Sequence, residues 1–496
     1  MIRPEMLTLA PEHWNLLMPY LIVFGSALAA IIVGTLPERF KPGQVVPVLC
    51  GFGFLTAGMC SLGACLAQPV ALFGGMMLSD PFGHFLNFLY CVFGGLALLA
   101  SYHYLTEQRL RFVEFDILVV FSVLGMMLMT STQHLIVIFL SLELMSLSVY
   151  VLVGFRRSDR RSNEAAMKYY ILGSAASAVL LYGMALVYGS TQTFELNEVL
   201  VRVQNNTALL TPVFLLGSVL LVVGFLFKTA AVPFHMWMPD VYEGAPLPVT
   251  SFMTGALKFA VFAAFIRVLL GLDFDVSGVQ QWNITLQNVL WVSAALTMFV
   301  GNLIALLQTN LKRMLAYSSI AHTGYLLIGI LAGTLTRESY SGVIFYLIIY
   351  ALMNIGAFTI LSALAGDGDS GMELENVSGL ATRKPWLALA LTAFLFSMAG
   401  IPPMGGFFAK YVLFYSGVQV GAVWLVVLGV LCSAVSVYYY LRVIVYMYMR
   451  PVARSGGAAI AVPLTLQVVI GLTLAAVVLF GVLPNTLLQV VRSLFA

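Results

Sequence analysis

The sequence predicts an all-α polytopic membrane protein of about 14 transmembrane helices, from its composition, the spacing of its apolar runs and the placement of its basic residues. Of 496 residues, 61% are hydrophobic and 9% charged, against about 25% charged in soluble domains. Apolar runs of about 20 residues, the length a helix needs to cross a bilayer, follow one another along the chain. They fall near 14–34, 44–67, 83–105, 112–131, 133–155, 166–189, 211–233, 248–270, 287–308, 314–334, 340–365, 386–415, 420–447 and 463–486. The longest connections, near 190–210 and 366–385, leave no room for a soluble domain.

Lys and Arg gather in the cytoplasmic loops of membrane proteins. Loops after odd-numbered helices hold Arg39, Lys41, Arg109, Arg111, Arg156, Arg157, Arg160, Arg161, Lys312, Arg313, Arg383, Lys384, Arg442, Arg450 and Arg454. Loops after even-numbered helices and the two termini hold only Arg3, Arg202, Arg267, Arg337 and Arg492. Both termini are therefore expected outside the cytoplasm. Ala27-Leu28-Ala29 imitates a signal-cleavage site, but the apolar run continues past it to Gly34, and Glu5 and Glu12 offset Arg3.

Four basic residues remain, all lysines inside or at the edge of a predicted helix: Lys168, Lys228, Lys258 and Lys410. A charge at membrane depth is costly and marks a functional site by default. Among the carboxylates only Glu143 lies near the middle of an apolar run. Helix seven breaks at Pro233, just after Lys228, with His235 beyond; helix twelve breaks at Gly400–Gly406, just before Lys410. Irregular backbone at membrane depth survives only in protein or along a water-filled cavity. The separation of the breaks predicts two five-helix repeats, helices 4–8 and 9–13. An odd number of spans inverts the second against the first. Glu143 and His322 then share one position of the repeat, Lys228 and Lys410 another. The expected regions are 1–110 (three helices), 111–272 (first repeat), 273–450 (second, inverted repeat) and 451–496 (last helix).

Glu143 and Lys228 form the expected pair, either a proton switch or a static tie between helices. Lys258 is a relay group or a snorkelling lysine; Lys410 is a relay group or a cap for carbonyls freed by the break. Lys168, beside the basic loop, reads as interfacial. His322 reads equally as a core histidine or as a proton carrier. Gly366-Asp367-Gly368-Asp369-Ser370-Gly371 fits a dinucleotide motif in spacing only, with no strand before it, and is expected to be a flexible, solvated acidic loop. The tyrosines of SAVSVYYYLRVIVYMYM are expected at a membrane boundary. The five cysteines form no CxxC pair and read as buried thiols, so no metal site is expected in this chain. A net charge of +3, with no basic cluster interleaved with aromatics, gives no reason to expect nucleic acid.

The stretches SLELMSL, RRSNEAAMKYYILG, GFLFKTAAVPFHMWMPDVYEGAPLPV, QTNLKRMLAYSSIAHTGYL and MAGIPPMGGFFAKYVLF resemble the antiporter-like proton-translocating subunits of respiratory complex I, the NADH:quinone oxidoreductase. The resemblance implies that Glu143 tunes Lys228, Lys258 links two half-channels, His322 joins Lys258 to Lys410, and Lys410 exchanges protons with the outer face. It implies no cofactor in this chain, with NADH, FMN, iron–sulfur clusters and quinone in other subunits. It also implies an M-type antiporter-like neighbour on one side, small K-, J- and A-type subunits on the other, and a bacterial inner membrane, with a thylakoid membrane as the alternative. Two rivals stay open: a subunit of a multi-subunit Na+/H+ antiporter, and a passive scaffold of the membrane arm.

Overall fold

A computed structural model describes residues 13–272, 280–452 and 462–495. Arg3, Glu5, Glu12 and Arg454 of the charge pattern lie outside the described residues. The described chain is almost entirely helical. The first six helices are α1 (Trp14–Gly34), α2 (Pro42–Ala64), α3 (Pro81–Glu107), α4 (Val113–Thr130), α5 (Leu135–Val153) and α6 (Arg160–Thr191). Then come α7 (Leu196–Asn205), α8 (Pro212–Lys228), α9 (Trp237–Gly244), α10 (Leu247–Phe252) and α11 (Lys258–Gly271). The second half holds α12 (Gln280–Leu307), α13 (Leu311–Gly333), α14 (Ser339–Leu364), α15 (Leu380–Arg383), α16 (Pro385–Ala399), α17 (Gly405–Gln419), α18 (Val423–Met449), α19 (Leu464–Val482) and α20 (Pro484–Arg492). Two three-residue strands, β1 (Val70–Leu72) and β2 (Met77–Ser79), pair antiparallel in the α2–α3 connection.

Twelve helices among the described residues are long and apolar enough to cross a membrane. α8 and α16 are shorter, because each stops where the sequence predicts a break. Capping residues set several starts: Asp80 accepts from Gly83 N at 2.8 Å ahead of Pro81, Thr211 from Phe214 N at 3.2 Å ahead of Pro212, and Asn310 from Arg313 N at 3.2 Å. α10 and α11 run on as one rod, Leu247–Gly271, through a π-helical turn at Met253–Leu257 immediately before Lys258. Such a turn widens a helix and is frequent at functional sites.

Three rods, Leu247–Gly271, α13 and α14, are almost wholly buried and form the centre. The outer helices turn apolar side chains outward, as with Val48, Phe52, Leu55 and Met59 on α2. A surface of this kind suits lipid or another membrane subunit.

The structure corrects several expectations. Arg267 is not in a loop; it lies within α11, buried, and its guanidinium grips Asp80 at 2.5 and 2.6 Å while Nε donates to Thr130 O at 3.0 Å. The connection near 190–210 contains α7. Cys60 is exposed and Cys65 partly so, whereas Cys50, Cys91 and Cys432 are buried. Asp369 is buried rather than solvated, because positive φ at Gly368 (65°) and Asp369 (57°) turns its carboxylate inward. Tyr439 and Tyr440 are fully buried inside the protein rather than turned outward.

Candidate functional site

Both broken segments place a lysine at the break, but in different ways. α8 ends at Lys228, and Ala230 adopts a left-handed φ of 58° before Pro233 turns the chain into α9. The freed backbone groups find partners elsewhere: Trp237 Nε1 donates to Phe227 O at 3.2 Å, Thr323 Oγ1 to Thr229 O at 2.9 Å, and Val232 N to Thr297 Oγ1 at 2.9 Å. No buried backbone group is cheap to leave unpaired, and these bonds leave the Lys228 ammonium available. Lys228 Nζ donates to Ser146 Oγ at 3.3 Å and Tyr150 OH at 3.4 Å, and lies 3.9 Å from Glu143 Oε1. Ser177 donates to the same Glu143 oxygen. The predicted pair is thus present, with Lys228 buried and Glu143 partly open to one side.

The second break closes on Gly400, at a left-handed φ of 85°, where an added Cβ would meet Lys410 Cδ at 3.0 Å. At Gly406 a Cβ would come within 1.9 Å of Ser397 O, so the two half-helices pack backbone to backbone. Here the lysine itself takes a freed carbonyl: Lys410 Nζ donates to Ala399 O at 3.1 Å and Ser433 Oγ at 2.8 Å. It also lies 5.1 Å from the centre of the Tyr325 ring. No carboxylate pairs with it among the described residues. A cavity of about 520 Å³, walled largely by Phe407, Phe414, Val426 and Val430, adjoins Lys410.

Between the breaks lies Lys258, which donates to Ser319 O at 2.5 Å and Ser319 Oγ at 2.7 Å. It is buried in the middle of the central rods, so it does not snorkel. Thr323 Oγ1, already bonded to Thr229 O, also lies 3.3 Å from Ser319 O. One threonine therefore spans from the residue after Lys228 to the carbonyl that holds Lys258. Three residues on from Ser319, His322 stands between Tyr346 OH at Nδ1 and Tyr440 OH at Nε2, the latter at 3.2 Å. Its ring is 5.0 Å from that of Tyr350, whose face lies 5.2 Å from Lys258 Nζ, and 5.6 Å from that of Tyr325 beside Lys410.

Glu143, Lys228, Lys258, His322 and Lys410 thus form one belt across the middle of the molecule. Sequence reasoning missed the buried tyrosines along it: Tyr346 and Tyr440 bond His322, and the rings of Tyr350 and Tyr325 lie against Lys258 and Lys410. Each carries a hydroxyl that can donate and accept, but in an apolar run a tyrosine has no signal separating it from an interfacial anchor. Lys168 stands apart from the belt, half-exposed and bonded to Glu164 and Asp240 at 2.8 Å each, as an interfacial lysine should be. Among the described residues no group of three or more His, Cys, Asp or Glu is placed to hold a metal ion.

A helical membrane protein with two interrupted segments, each placing a buried lysine on a common polar belt, has the build of an ion-translocating membrane subunit. The chain belongs to the NADH:quinone oxidoreductase/Mrp antiporter transmembrane family, whose model matches residues 132–436. The NADH-quinone oxidoreductase subunit N of Trichlorobacter lovleyi is 42% identical over 476 residues, 96% of this chain and 95% of that protein. The NADH-quinone oxidoreductase subunit N 1 of Chloroherpeton thalassium is 40% identical, covering 98% of this chain and 99% of its own. Among solved structures, a chain of respiratory complex I from Thermus thermophilus with bound aureothin is similar at a TM-score of 0.80 and 32% identity, covering 95% of this chain and 99% of that one. A chain of the Mrp complex from a Dietzia species shares the fold at a TM-score of 0.82 and 19% identity, covering 97% of each.

Proposed function

We propose that the chain is the N-type subunit of the membrane arm of a respiratory NADH:quinone oxidoreductase, and that it translocates protons through Glu143, Lys228, Lys258, His322 and Lys410. The carrying observation is the continuity of the belt. Thr323 and Ser319 stand between the Lys228 break and Lys258, and His322 with its tyrosines between Lys258 and Lys410, so hydroxyl and imidazole groups that can pass a proton line the way from one lysine to the next. Near-complete coverage by relatives named as subunit N supports the subunit type.

In this reading the chain crosses the membrane fourteen times, the two broken passes being α8 with α9 and α16 with α17. Residues 111–272 and 273–450 are the two inverted repeats, 1–110 the three-helix N-terminal region and 451–496 the last pass. The end rich in Arg and Lys faces the cytoplasm of a bacterium, and both termini face the periplasm across its inner membrane. Protons pass from cytoplasm to periplasm, driven by NADH oxidation and quinone reduction in other subunits. Those subunits hold the FMN, the iron–sulfur clusters and the quinone. An M-type neighbour and small K-, J- and A-type subunits flank the chain.

Lys228→Ala in the assembled enzyme tests the reading. Loss of proton pumping and of coupled quinone reduction is expected; an assembled variant with unchanged proton-to-electron ratio and turnover would count against the relay. The shared Mrp fold keeps a Na+/H+ antiporter subunit as second reading. Sodium-dependent transport without NADH oxidation by the purified complex would favour it, and full activity with the central charges neutralised would favour a passive scaffold.

A further inference from the structure

The loop between α14 and α15 supplies one buried charge that the belt does not use. Gly366, Asp367, Gly368 and Ser370 lie at the surface, while the Asp369 side chain is 6% exposed. Gln108 clamps the loop, donating to Gly366 O at 3.2 Å and accepting from Gly368 N at 3.0 Å. Asp369 Oδ1 accepts from Tyr104 OH at 2.5 Å and from Arg156 at 3.3 Å, and Oδ2 accepts from Lys312 Nζ at 2.9 Å. Lys312, 2% exposed, also donates to Ala245 O at 2.6 Å, just ahead of Pro246 and the rod that carries Lys258.

A single carboxylate therefore joins α3, the α5–α6 connection and α13 and, through Lys312, the start of the Lys258 rod. Lys312 and Ser319 share α13, seven residues apart, which is about 10 Å along the axis. Along α13 the Lys258–Ser319 contact thus sits about 10 Å inward of the Lys312 bridge; the bridge joins α13 to the junction of α9 with the rod, and the contact joins α13 to the rod itself. A shift of that junction against α13 would move the start of the rod and be carried to the contact, because a close-packed interior transmits strain.

We propose that Asp369 is a positioning residue for proton transfer at Lys258: by anchoring Lys312 against Ala245 it fixes where α13 stands at the start of the Lys258 rod, and so how Ser319 meets the Lys258 ammonium. The inference rests on the relay reading above. Asp369 acts as an anchor rather than a proton carrier. Burial alone would push its carboxyl up, but Lys312 and Arg156, with the Tyr104 hydroxyl, hold it below the usual carboxylate range, so it stays charged at physiological pH.

The test uses the full enzyme in inverted membrane vesicles, with quinone-coupled NADH oxidation and proton uptake scaled to the amount of assembled complex. Asp369→Asn is expected to lower coupled turnover and pumping about ten-fold or more, the scale on which a misplaced reacting group loses rate, and to shift the pH profile of turnover. Asp369→Glu, which keeps the charge, should recover a substantial part, and Lys312→Met should reproduce the loss without adding to it in the double variant. Normal turnover, pumping and pH profile in assembled Asp369→Asn would overturn the proposal. Should that variant not assemble, Lys312→Met is read in its place by the same two outcomes. Lys258→Ala in the same vesicles separates the two levels: normal pumping there overturns the relay reading itself, whereas loss there with normal Asp369→Asn overturns only the anchor.

Discussion

The two broken segments solve one backbone problem in opposite ways. At the first, Trp237, Thr323 and Thr297 take up the freed groups, and Lys228 is left to face a carboxylate across 3.9 Å. At the second, Lys410 is itself the cap on Ala399 O, with Ser433 and the Tyr325 ring as its other neighbours. Charge answers charge at Lys228; only dipoles and an aromatic face answer it at Lys410. Opposite charge acts over several ångströms, whereas a hydrogen-bonded dipole is effective only at contact. In the proposed relay the charge on Lys228 would therefore be adjusted from Glu143, and that on Lys410 by moving the lysine off its carbonyl. The halves look alike in hydropathy and differ in what would set a proton free.

The largest expected effect comes from Lys410→Met. It removes the titratable group and leaves Ala399 O without its donor, so coupled turnover per assembled complex should fall by about 100-fold or more, the scale of a lost proton-transfer group. Lys410→Glu would retain part of the activity if titration is what matters and none if capping is, which splits the two roles in one assay. Glu143→Gln should cost less than Lys410→Met, since Ser177 can still bond the amide while Lys228 keeps Ser146 and Tyr150. If Glu143→Gln proves as severe as Lys410→Met, the carboxylate does more than adjust its neighbour.

Much of this contrast is legible in the residues themselves. A lysine in an apolar run is conspicuous because it is costly there, and Pro233, Pro402 and Pro403 mark the breaks to within about two turns. Composition and the period of the apolar runs locate the long helices, although α6 and α12 begin six and seven residues ahead of the runs at 166 and 287. What escapes is polarity that costs little to hide. A tyrosine is mostly ring and satisfies its one hydroxyl with a single partner, so Tyr346 and Tyr440 beside His322 look no different from the outward-facing Tyr411 or Tyr438. Asp369 escapes for another reason: its glycines and acidic neighbours describe a surface loop correctly, and only the left-handed turn sends this one carboxylate inward. Arg267 reads as a loop residue because its partner Asp80 is far away in sequence.

Arg267 supplies a contrast within ion pairs. Its two contacts with Asp80 at 2.5 and 2.6 Å are tight and forked, whereas Lys228 and Glu143 stand 3.9 Å apart. A close bidentate pair is geometrically specified; a looser one can change partners. Arg267→Met should therefore act on stability rather than on coupling, lowering it by about 3–5 kcal/mol as one half of a buried pair is lost. Thermal unfolding of the solubilised complex would register this as a lower melting temperature, with pumping per surviving complex unchanged. A selective loss of pumping would put Arg267 with the relay instead.

The smallest effect concerns acid. Because Lys312 and Arg156 outweigh burial and hold the Asp369 carboxyl below its usual value, the folded state binds this proton more weakly than the unfolded chain does. Its stabilisation is then complete above the ordinary carboxylate value, near 3.9, and is lost as pH falls from there through the lower folded value. Between pH 5 and 8 the anchor should add no slope to the melting temperature; below about pH 4 it should add a fall that Asp369→Asn lacks. Glu143 and Lys228, at membrane depth, are outside this test, so a difference between wild type and Asp369→Asn that grows with acid belongs to the loop alone. Equal acid slopes in the two proteins would mean that Lys312 and Arg156 release Asp369 before the fold gives way.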